Sequence, residues 1–354
     1  MVERELKNGE KMVVKVLEPP LGEYGDKVGA WHDLREDLLS GELEEWLAAP
    51  YFVGEIGGEV VGSMAYYAGV GRPEVGLVEF VQTEEAHRRK GVAGVLMEEL
   101  IKDFRGRGGM ALYLCTVNPH AGDLYEKNGF WYLVGDGMRY LAPAAGDFDG
   151  EYLAPCGEGE VRAATWGDLP AAAALFNQPG ADWWVKEYLT RCFGDTRFER
   201  HFVELMRRTE EGRGGVLVLE NPLGRVVGLA AFVRVDSFYE QHVGYVSFYA
   251  SPDYLQQIPE LLTAAQAQAG ALGMSVLQTY VADGDGAAMA VLQRAGFVEE
   301  ARLRGRLSDG EAIRDLLVYT AFVAGAQRQR NPRDDYYGQR TAWQVDRIRR
   351  RAEA

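Results

Sequence analysis

The sequence predicts a mixed α/β protein, with an α+β mixed sheet in each of two tandem domains. Three observations support this prediction. The chain has 354 residues, which is enough for two domains that each bury a core. Strand-like and helix-like hydrophobic patterns alternate along it. Their order in the first half recurs in the second half after 166 to 167 residues, which indicates an internal duplication.

The first half contains the signals of a strand-rich domain with helices between the strands. In order, these signals are a strand at 12–18, helices within 31–47, two strands within 51–69, a strand at 75–83, a helix at 91–104, a strand at 110–117 and a short helix within 120–130. Gly57-Gly58 splits the two strands of 51–69, which predicts a hairpin. The run at 75–83 is apolar on both faces apart from Glu79 and Gln82, so we predict a central strand.

The second half repeats this order. The segment GRVVGLAAFV resembles GEVVGSMAYY, VGYVSFYASP resembles VGLVEFVQTE, and VLQRAGF resembles LYEKNGF. The predicted units are a first domain at 1–145, a linker rich in Ala, Gly, Pro and acidic residues at 146–159, a second domain at 160–325 and a C-terminal helical tail at 326–354. Residues 183–213 are additional helical sequence in the second copy.

Composition and charge exclude several classes of function. The formal net charge is −15, which argues against binding to nucleic acid or to an anionic membrane. No apolar run reaches the roughly 20 residues of a membrane-spanning helix. The charged start is unlike a signal peptide, so we expect a cytoplasmic protein. Cys115, Cys156 and Cys192 are too widely spaced for a disulfide framework or a zinc pattern, and we expect no metal site.

The segment HRRKGVAG places three cations in front of a predicted helix. The first N–H groups of a helix lack intrahelical partners and carry partial positive charge, so they can bind phosphate oxygens. Gly91 permits a turn that a side chain would obstruct, and Ala93 and Gly94 let a diphosphate approach the backbone. Neither the Walker pattern nor G-x-G-x-x-G fits the loop. It predicts a diphosphate site, with an ordinary basic helix start as the alternative.

A second motif follows the next strand. Asn118 precedes the short helix that carries Tyr125, within LYEKNGF. Asn118 can cap that helix or bind an amide of a ligand. Tyr125 is either a packed aromatic residue or a phenol that points into a site, and the neighbouring basic loop favours the site.

These two motifs resemble those of the GNAT superfamily of N-acetyltransferases. RRKGVA is similar to the pyrophosphate loop of that family, and NPHAGDLYEKNGF is similar to its later acetyl-CoA motif. The similarity is strong over 75–130 and only topological over 160–322. It implies two tandem GNAT-like acyl-CoA N-acyltransferase domains. It also implies that acetyl-CoA, as cosubstrate, lies in a wedge between the fourth and fifth strands of the sheet.

The resemblance implies a role for each residue of the motifs. Backbone groups of Val81 and Thr83 would bind pantetheine, and Asn118 would contact the cofactor arm. Tyr125 would lie beside the thioester sulfur and protonate it as it leaves. The residues expected around the diphosphate are Arg88, Arg89, Lys90, Gly91, Val92, Ala93 and Gly94.

The acceptor amine needs a base, because an alkylammonium has a pKa of about 10.4 and must lose its proton before it attacks. Glu79 is the first candidate, since it lies in an apolar strand two residues before Val81. The alternative for Glu79 is an ion-paired carboxylate, and Glu74 is the other candidate base.

Several further residues have two interpretations. His32, His87 and His120 lack ligand spacing and are expected at the surface or in packing, with His87 flanking the phosphate loop. Trp31, Tyr66 and Tyr67 belong either to an acceptor pocket or to the aromatic core.

The second copy lacks the features of the first loop. With a shift of 167 residues, the replacements are Leu255 for Arg88, Ile258 for Gly91, Pro259 for Val92, Glu260 for Ala93, Asp285 for Asn118 and Leu292 for Tyr125. A bulky side chain in a glycine turn, a missing N–H and an added carboxylate each act against a bound diphosphate. We therefore expect a degenerate second domain that keeps the fold without the coenzyme.

The sequence thus predicts an acetyl-CoA-dependent N-acetyltransferase that acts on a primary amine of a small molecule or peptide, by direct attack in a ternary complex. Residues 1–145 contain 24 acidic and 15 basic residues, a formal charge of −9, which favours a cationic acceptor. The alternatives are a non-catalytic sensor that binds acyl-CoA and a structural protein in which both halves are relics. The tandem copies predict a monomer that forms a pseudo-dimer, or a homodimer.

Overall fold

The computed structural model of the chain describes residues 1–30, 34–134, 136–178, 198–237, 239–308 and 312–323. Its helices there are α1 (Arg35–Ser40), α2 (Val92–Gly106), α3 (Pro119–Lys127), α4 (Phe148–Tyr152), α5 (Leu169–Phe176), α6 (Phe198–Glu210), α7 (Ile258–Ala271) and α8 (Gly286–Arg294). The strands of the first half are β1 (Val2–Glu5), β2 (Lys11–Leu17), β3 (Leu47–Ala48), β4 (Tyr51–Ile56), β5 (Glu59–Gly69), β6 (Arg72–Thr83), β7 (Ala111–Cys115), β8 (Phe130–Val134) and β9 (Gly137–Leu141). Those of the second half are β10 (Glu160–Ala163), β11 (Gly214–Glu220), β12 (Val226–Arg234), β13 (Val243–Ala250), β14 (Val276–Ala282), β15 (Val298–Ser308) and β16 (Ile313–Phe322).

The strands form two mixed sheets, as the sequence predicts. Sheet 1 has the order β1-β2-β4-β5-β6-β7-β9-β8, with β3 paired to β5, and sheet 2 has the order β10-β11-β12-β13-β14-β16-β15. β6 and β7 pair in parallel, as do β13 and β14, whereas the other neighbouring strands described here run antiparallel. From β2 and β10 onward the two sheets therefore share strand order and direction. β6 lies in the middle of sheet 1, which confirms the central strand.

Helix α2 fixes the position of the loop that precedes it. Leu96, Leu100 and Phe104 are buried at four-residue spacing and pack on sheet 1, with the Phe104 ring 5.3 Å from that of Tyr66. At the start of the helix, a Cβ on Gly62 of β5 would lie only 2.8 Å from Val92 Cγ1. The glycine thus lets the first turn of α2 approach the sheet closely.

Helix α5 packs between the two sheets. All eight of its residues are buried, and it contacts β5 and β6 of sheet 1 as well as β12 and β13 of sheet 2. Four consecutive alanines, 171–174, keep its surface thin, so that both sheets can approach it. The second half therefore supplies part of the core on one face of the first sheet.

A buried carboxylate joins the halves beside α5. Asp168 is fully buried and accepts hydrogen bonds from Arg72 of β6 at 2.8 Å and from Arg162 of β10 at 2.7 and 2.8 Å. The Thr165 N–H donates a further bond at 2.8 Å. Burial alone would raise the pKa of this carboxyl, but the hydrogen bonds and charge of Arg162, with Thr165 and Arg72, hold that pKa below its usual value.

The structure differs from the sequence-based expectation in three places. The helical pattern of 31–47 is shorter than predicted, because Gly41 adopts φ 89° and ends α1, and Leu47–Ala48 form a strand. Strand β1 lies in the charged start, where no strand was predicted. The predicted linker at 146–159 contains α4, whose Phe148 and Tyr152 are buried. The tail at 326–354, Cys192 and residues 183–197 of the extra segment 183–213 lie outside the described residues, and α6 forms most of the remainder of that segment.

Among the described residues, no helix is both long enough and apolar enough to cross a membrane.

Candidate active site

Strands β6 and β7 separate to form a wedge. Their parallel pairing covers Val75 to Leu77 against Ala111 to Tyr113, and β6 then continues to Thr83 without that neighbour. The backbone of 78–83 on this side is consequently available to an extended ligand. Val81 and Thr83, the predicted pantetheine contacts, lie on this part of β6. Asn118 and Tyr125 follow the end of β7, on the other side of the wedge.

A β-bulge distorts β6 inside the wedge. Ser63 of β5 faces Gln82, but Ala65 faces Glu79, so the register shifts between them. Phe80 adopts φ 53°, a left-handed conformation that is rare for a bulky residue. Its ring packs so closely on Gly29 that a Cβ there would lie 2.9 Å from it. The bulge reorients the backbone between Glu79 and Val81, and no pattern in the sequence predicted it.

The basic loop, residues 88–91 before α2, has the backbone of an anion site. Arg89 adopts φ 63° and Gly91 adopts φ 98°, and Gly91 is the N-cap of α2 without a side-chain capping bond. Alternation of left-handed and ordinary residues turns successive N–H groups toward one point. The N-terminus of the 15-residue helix adds partial positive charge there. This geometry agrees with the predicted diphosphate site, whose occupancy stays a prediction.

A cavity of about 930 Å³ opens at this loop. It contains the predicted residues Val81, Thr83, Arg88, Arg89, Gly91, Val92, Ala93, Gly94 and Asn118 in its wall. The other lining residues are Lys7, Gln82, His87, His120, Ala121, Asp123, Leu124 and Lys127. Strand β6, the basic loop and α3 thus meet around one space, although their residues are far apart in sequence.

Lys90 is the one predicted diphosphate residue that lies outside the cavity wall. Its Nζ is 3.1 Å from Glu10 Oε2, in the turn between β1 and β2. The hydrogen bond from Asn8, and the one from Lys90, lower the pKa of the Glu10 carboxyl. Lys90 is therefore engaged by the N-terminal hairpin. Lys7 of the same hairpin lines the cavity instead.

His87 has an unsatisfied buried atom at the cavity. Its Nδ1 is buried and has no hydrogen-bond partner among the described residues, although the side chain lines the cavity. A buried polar atom without a partner is costly, and a ligand could satisfy it. We expected His87 beside the loop and His120 at the surface or in packing, and both contribute to the wall.

Asn118 caps helix α3. Its Oδ1 accepts the His120 N–H at 3.0 Å, and Pro119 occupies the first turn. The side chain also lines the cavity, so both functions that the sequence left open are compatible with its position.

Tyr125 and Glu79 are close enough to interact electrostatically. Burial raises the pKa of the Tyr125 phenol to about 12, and the charge of Glu79 adds to the rise. Tyr125 packs on Phe130, with ring centroids 5.9 Å apart, while Glu79 is half-buried. The phenol therefore stays protonated at neutral pH and can donate a proton. Neither residue is in the wall of the cavity at the basic loop.

The other aromatic candidates divide between two faces of sheet 1. The Tyr66 hydroxyl donates to Asp103 of α2 at 2.8 Å, in the core beneath that helix. Tyr67 lies on the opposite face, with its hydroxyl 3.0 Å from that of Tyr51, which donates to the Gly29 carbonyl at 3.3 Å. Trp31 and His32 lie outside the described residues. Glu74 lies at the other end of β6, near Tyr152, whose pKa is raised by burial and further by the charge of Glu74.

The corresponding loop of the second half has a different backbone. It contains three residues, 255–257, between the 3₁₀ turn Pro252–Tyr254 and α7. The first loop contains four, 88–91, between the 3₁₀ turn Glu85–His87 and α2. Leu255 adopts φ −55° and Gln257, the N-cap, adopts φ −95°. β13 also pairs with β12 in continuous register, without a bulge. The left-handed turns of the first loop therefore have no counterpart here.

The expected register of these two loops was wrong by one residue. A shift of 167 pairs Ile258 with Gly91, but Ile258 is the first residue of α7 and occupies the place of Val92. A Cβ on Gly228 would lie 2.8 Å from Ile258 Cδ1, as one on Gly62 would from Val92. The shorter second loop causes the difference. Pro259 and Glu260 accordingly stand at Ala93 and Gly94.

Downstream, the expected correspondences hold in position. Asp285 caps α8 by accepting the Ala288 N–H at 2.9 Å, as Asn118 caps α3. Leu292 is fully buried on α8. The predicted linker contacts the second loop, where Cys156 N–H donates to the Tyr254 hydroxyl at 3.0 Å and Gly159 N–H donates to Gln257 Oε1 at 2.7 Å.

One comparison with known proteins locates its match within the first half. Residues 21–130 match the model of the acetyltransferase (GNAT) family, so the chain contains a GNAT acetyltransferase domain there. No curated protein matches the chain in sequence.

Several solved structures are similar over about half of the chain. An N-acetyltransferase from Staphylococcus aureus Mu50 is 18% identical, over 47% of this chain and 99% of that one, with a TM-score of 0.40. A putative acetyltransferase from Salmonella typhimurium, solved with acetyl-CoA, is 20% identical over 50% and 98%, with a TM-score of 0.40. Spermidine N-acetyltransferase from Vibrio cholerae, in complex with CoA and spermine, is 16% identical over 48% and 98%, with a TM-score of 0.39.

Proposed function

We propose that the first half transfers the acetyl group of acetyl-CoA to a primary amine of a small molecule or peptide. The basic loop carries this proposal: two left-handed residues turn its N–H groups toward the cavity, at the start of a long helix. Arg88 and Arg89 add positive charge, and the unpartnered Nδ1 of His87 lies in the same wall. These groups suit a diphosphate, and the open edge of β6 suits the extended arm attached to it.

In the proposed reaction, Glu79 of β6 acts on the acceptor amine and Tyr125 of α3 acts on the leaving group. Glu79 accepts a proton from the acceptor ammonium, and the neutral amine attacks the thioester carbonyl carbon in a ternary complex. Backbone N–H groups near the bulge stabilise the negative charge that develops on the carbonyl oxygen. The new C–N bond forms as the C–S bond breaks. Tyr125 then donates its proton to the departing thiolate, and the acetylated nitrogen releases its excess proton, which restores the Tyr125 phenol.

The second half is proposed to bind no coenzyme. Its loop is one residue shorter, lacks left-handed residues and is hydrogen-bonded to the preceding segment through Tyr254 and Gln257. The shared strand order supports a degenerate copy produced by duplication. Through α5 it would support the core of the catalytic half.

The proposal is tested with purified full-length protein. Calorimetric titration with CoA is expected to give one site per chain, and a panel of amines with acetyl-CoA is expected to release free thiol. The net negative charge of the first half favours cationic amines such as polyamines, or peptides that contain lysine. One-site binding without turnover of any amine would favour a sensor. Absence of binding would contradict the proposed function and leave the structural alternative.

Replacing Tyr125 with phenylalanine is expected to lower kcat about tenfold, because one hydrogen bond to the leaving group, about 1.4 kcal/mol, is lost. CoA affinity should remain the same, since the ring packing on Phe130 is kept. Steady-state kinetics and calorimetry measure the two quantities. Tyr140→Phe, in the same aromatic cluster, is the matched control and should leave kcat unchanged. An unaltered kcat in Tyr125→Phe would remove the proton-donor role.

Replacing Glu79 with glutamine is expected to lower kcat/KM for the amine about 100-fold, the low end of what a general base contributes. Glu74→Gln serves as the control, because it changes the other carboxylate of β6 at the opposite end of the strand. Initial rates at saturating acetyl-CoA distinguish the two candidates. A larger loss in Glu74→Gln would reverse the assignment.

A further inference from the structure

The hairpin of β1 and β2 holds Lys7 over the basic loop. Within its turn, Leu6 N–H donates to the Glu10 carbonyl at 2.8 Å, and Gly9 adopts φ 81°. Lys7 N–H donates to the Lys90 carbonyl at 3.1 Å. The Lys7 side chain crosses Gly91 so closely that a Cβ there would lie 3.3 Å from its Cγ. The hairpin and the loop are therefore held together by both backbone and side-chain contacts.

The hairpin of β1 and β2 pairs with Lys90 and contributes Lys7 to the cavity wall. The Lys90 ammonium is paired with Glu10 and Lys90 is absent from the cavity wall, whereas Lys7 is part of it. Lys7 forms no ion pair with any carboxylate in the described part of the chain. The positive charge of Lys7 is thus available at the cavity, whereas that of Lys90 is paired with Glu10.

This arrangement is specific to the first half. Lys7 precedes the segment that matches the family model, which begins at residue 21. Sheet 2 begins with β10 and, within the described residues, has no strand that corresponds to β1. Lys7 therefore reaches the loop through an element outside the matched domain.

We propose that Lys7 binds a phosphate group of the coenzyme, either the diphosphate or the 3′-phosphate of CoA. The inference rests on the proposed function and adds to it a binding residue from the N-terminal hairpin. Because the Lys7 side chain lies against Gly91, its ammonium is near the N–H groups of the loop. There the positive charge of Lys7 adds to the partial positive charge of those N–H groups. Charge-assisted hydrogen bonds of this kind are about twice as strong as neutral ones.

The experiment compares CoA affinity in three full-length proteins by calorimetry. Lys7→Met keeps the aliphatic contact with Gly91 and the backbone bond to Lys90 while removing the charge, and we expect CoA to bind about tenfold more weakly. Lys11→Met is the matched control on the same hairpin, because Lys11 pairs with exposed Glu3 and is absent from the cavity wall. It should bind CoA like the wild type. Lys7→Arg should restore most of the affinity.

Dephospho-CoA distinguishes the two phosphate sources. If Lys7→Met loses affinity for CoA but not for dephospho-CoA, Lys7 contacts the 3′-phosphate; equal losses with both ligands assign it to the diphosphate. Equal CoA affinity in Lys7→Met and wild type would overturn the inference while leaving the proposed function intact. An equal loss in Lys11→Met would also overturn it. A wild-type chain that binds neither ligand would refute both proposals.

Discussion

Replacing Gly91 with valine is expected to weaken CoA binding about a thousandfold. Gly91 adopts φ 98°, a conformation that costs a β-branched residue about 1–3 kcal/mol. A valine would also press on Lys7, so the loop would rearrange and lose charge-assisted bonds worth roughly 1.5–3 kcal/mol each. A combined loss of about 4 kcal/mol corresponds to a thousandfold change in Kd. Calorimetric titration with CoA measures it.

Gly224→Val provides the control for backbone strain. Gly224 adopts φ 74° in a turn of the second half, with no atom near its missing Cβ. This variant should lose similar stability in thermal unfolding but keep full CoA affinity. If Gly91→Val bound CoA as tightly as Gly224→Val, the loop could not be the diphosphate site.

Replacing Asp168 with asparagine is expected to lower the free energy of unfolding by about 3–5 kcal/mol. The substitution removes the fully buried partner of Arg72 and Arg162 and leaves them only the partly exposed Glu220, and removing one side of a buried ion pair is costly. Urea denaturation followed by circular dichroism measures the change. Glu204→Gln in α6 is the control, because it breaks a partly exposed pair with Arg208 and should cost about 0–1 kcal/mol. Similar losses in the two variants would contradict the importance of the buried cluster.

The same carboxylate gives the stability a defined pH dependence. Because the pKa of Asp168 is lower in the folded than in the unfolded chain, its contribution is fully present above the unfolded pKa of about 3.9. It is lost as the pH falls through the folded pKa. Asp168→Asn should therefore differ most from wild type at neutral pH, and the difference should shrink in strong acid.

The parts of the site that the sequence predicted depend on local features. A glycine after three cations, followed by a helical pattern, marks a left-handed turn at a helix N-terminus, and Gly91 has that conformation. The N-cap position of Asn118 is local for the same reason. The order of the predicted strands along the chain was accessible because hydrophobic runs and hairpin glycines are local features of the sequence.

The remaining features depend on contacts between distant segments. The left-handed Phe80 results from a register difference between β5 and β6, which neither strand reveals alone. Lys7 reaches the cavity because the hairpin of β1 and β2, about 80 residues earlier in the chain, packs on the basic loop. Glu10 of that hairpin accepts a hydrogen bond from Lys90. The helical pattern of 31–47 was overextended since Leu47–Ala48 pair with β5 instead. Tertiary pairing, which propensity does not contain, decided each case.

The thin alanine surface of α5 has a consequence for how the two halves can change over time. The helix is buried and contacts both sheets, so a larger residue in place of one of its alanines has to be tolerated by the elements of either half that pack against it. Mutational drift in the second half is thereby restrained by the first, and the first half cannot be moved into another protein without exposing the surface of β5 and β6 that this helix covers.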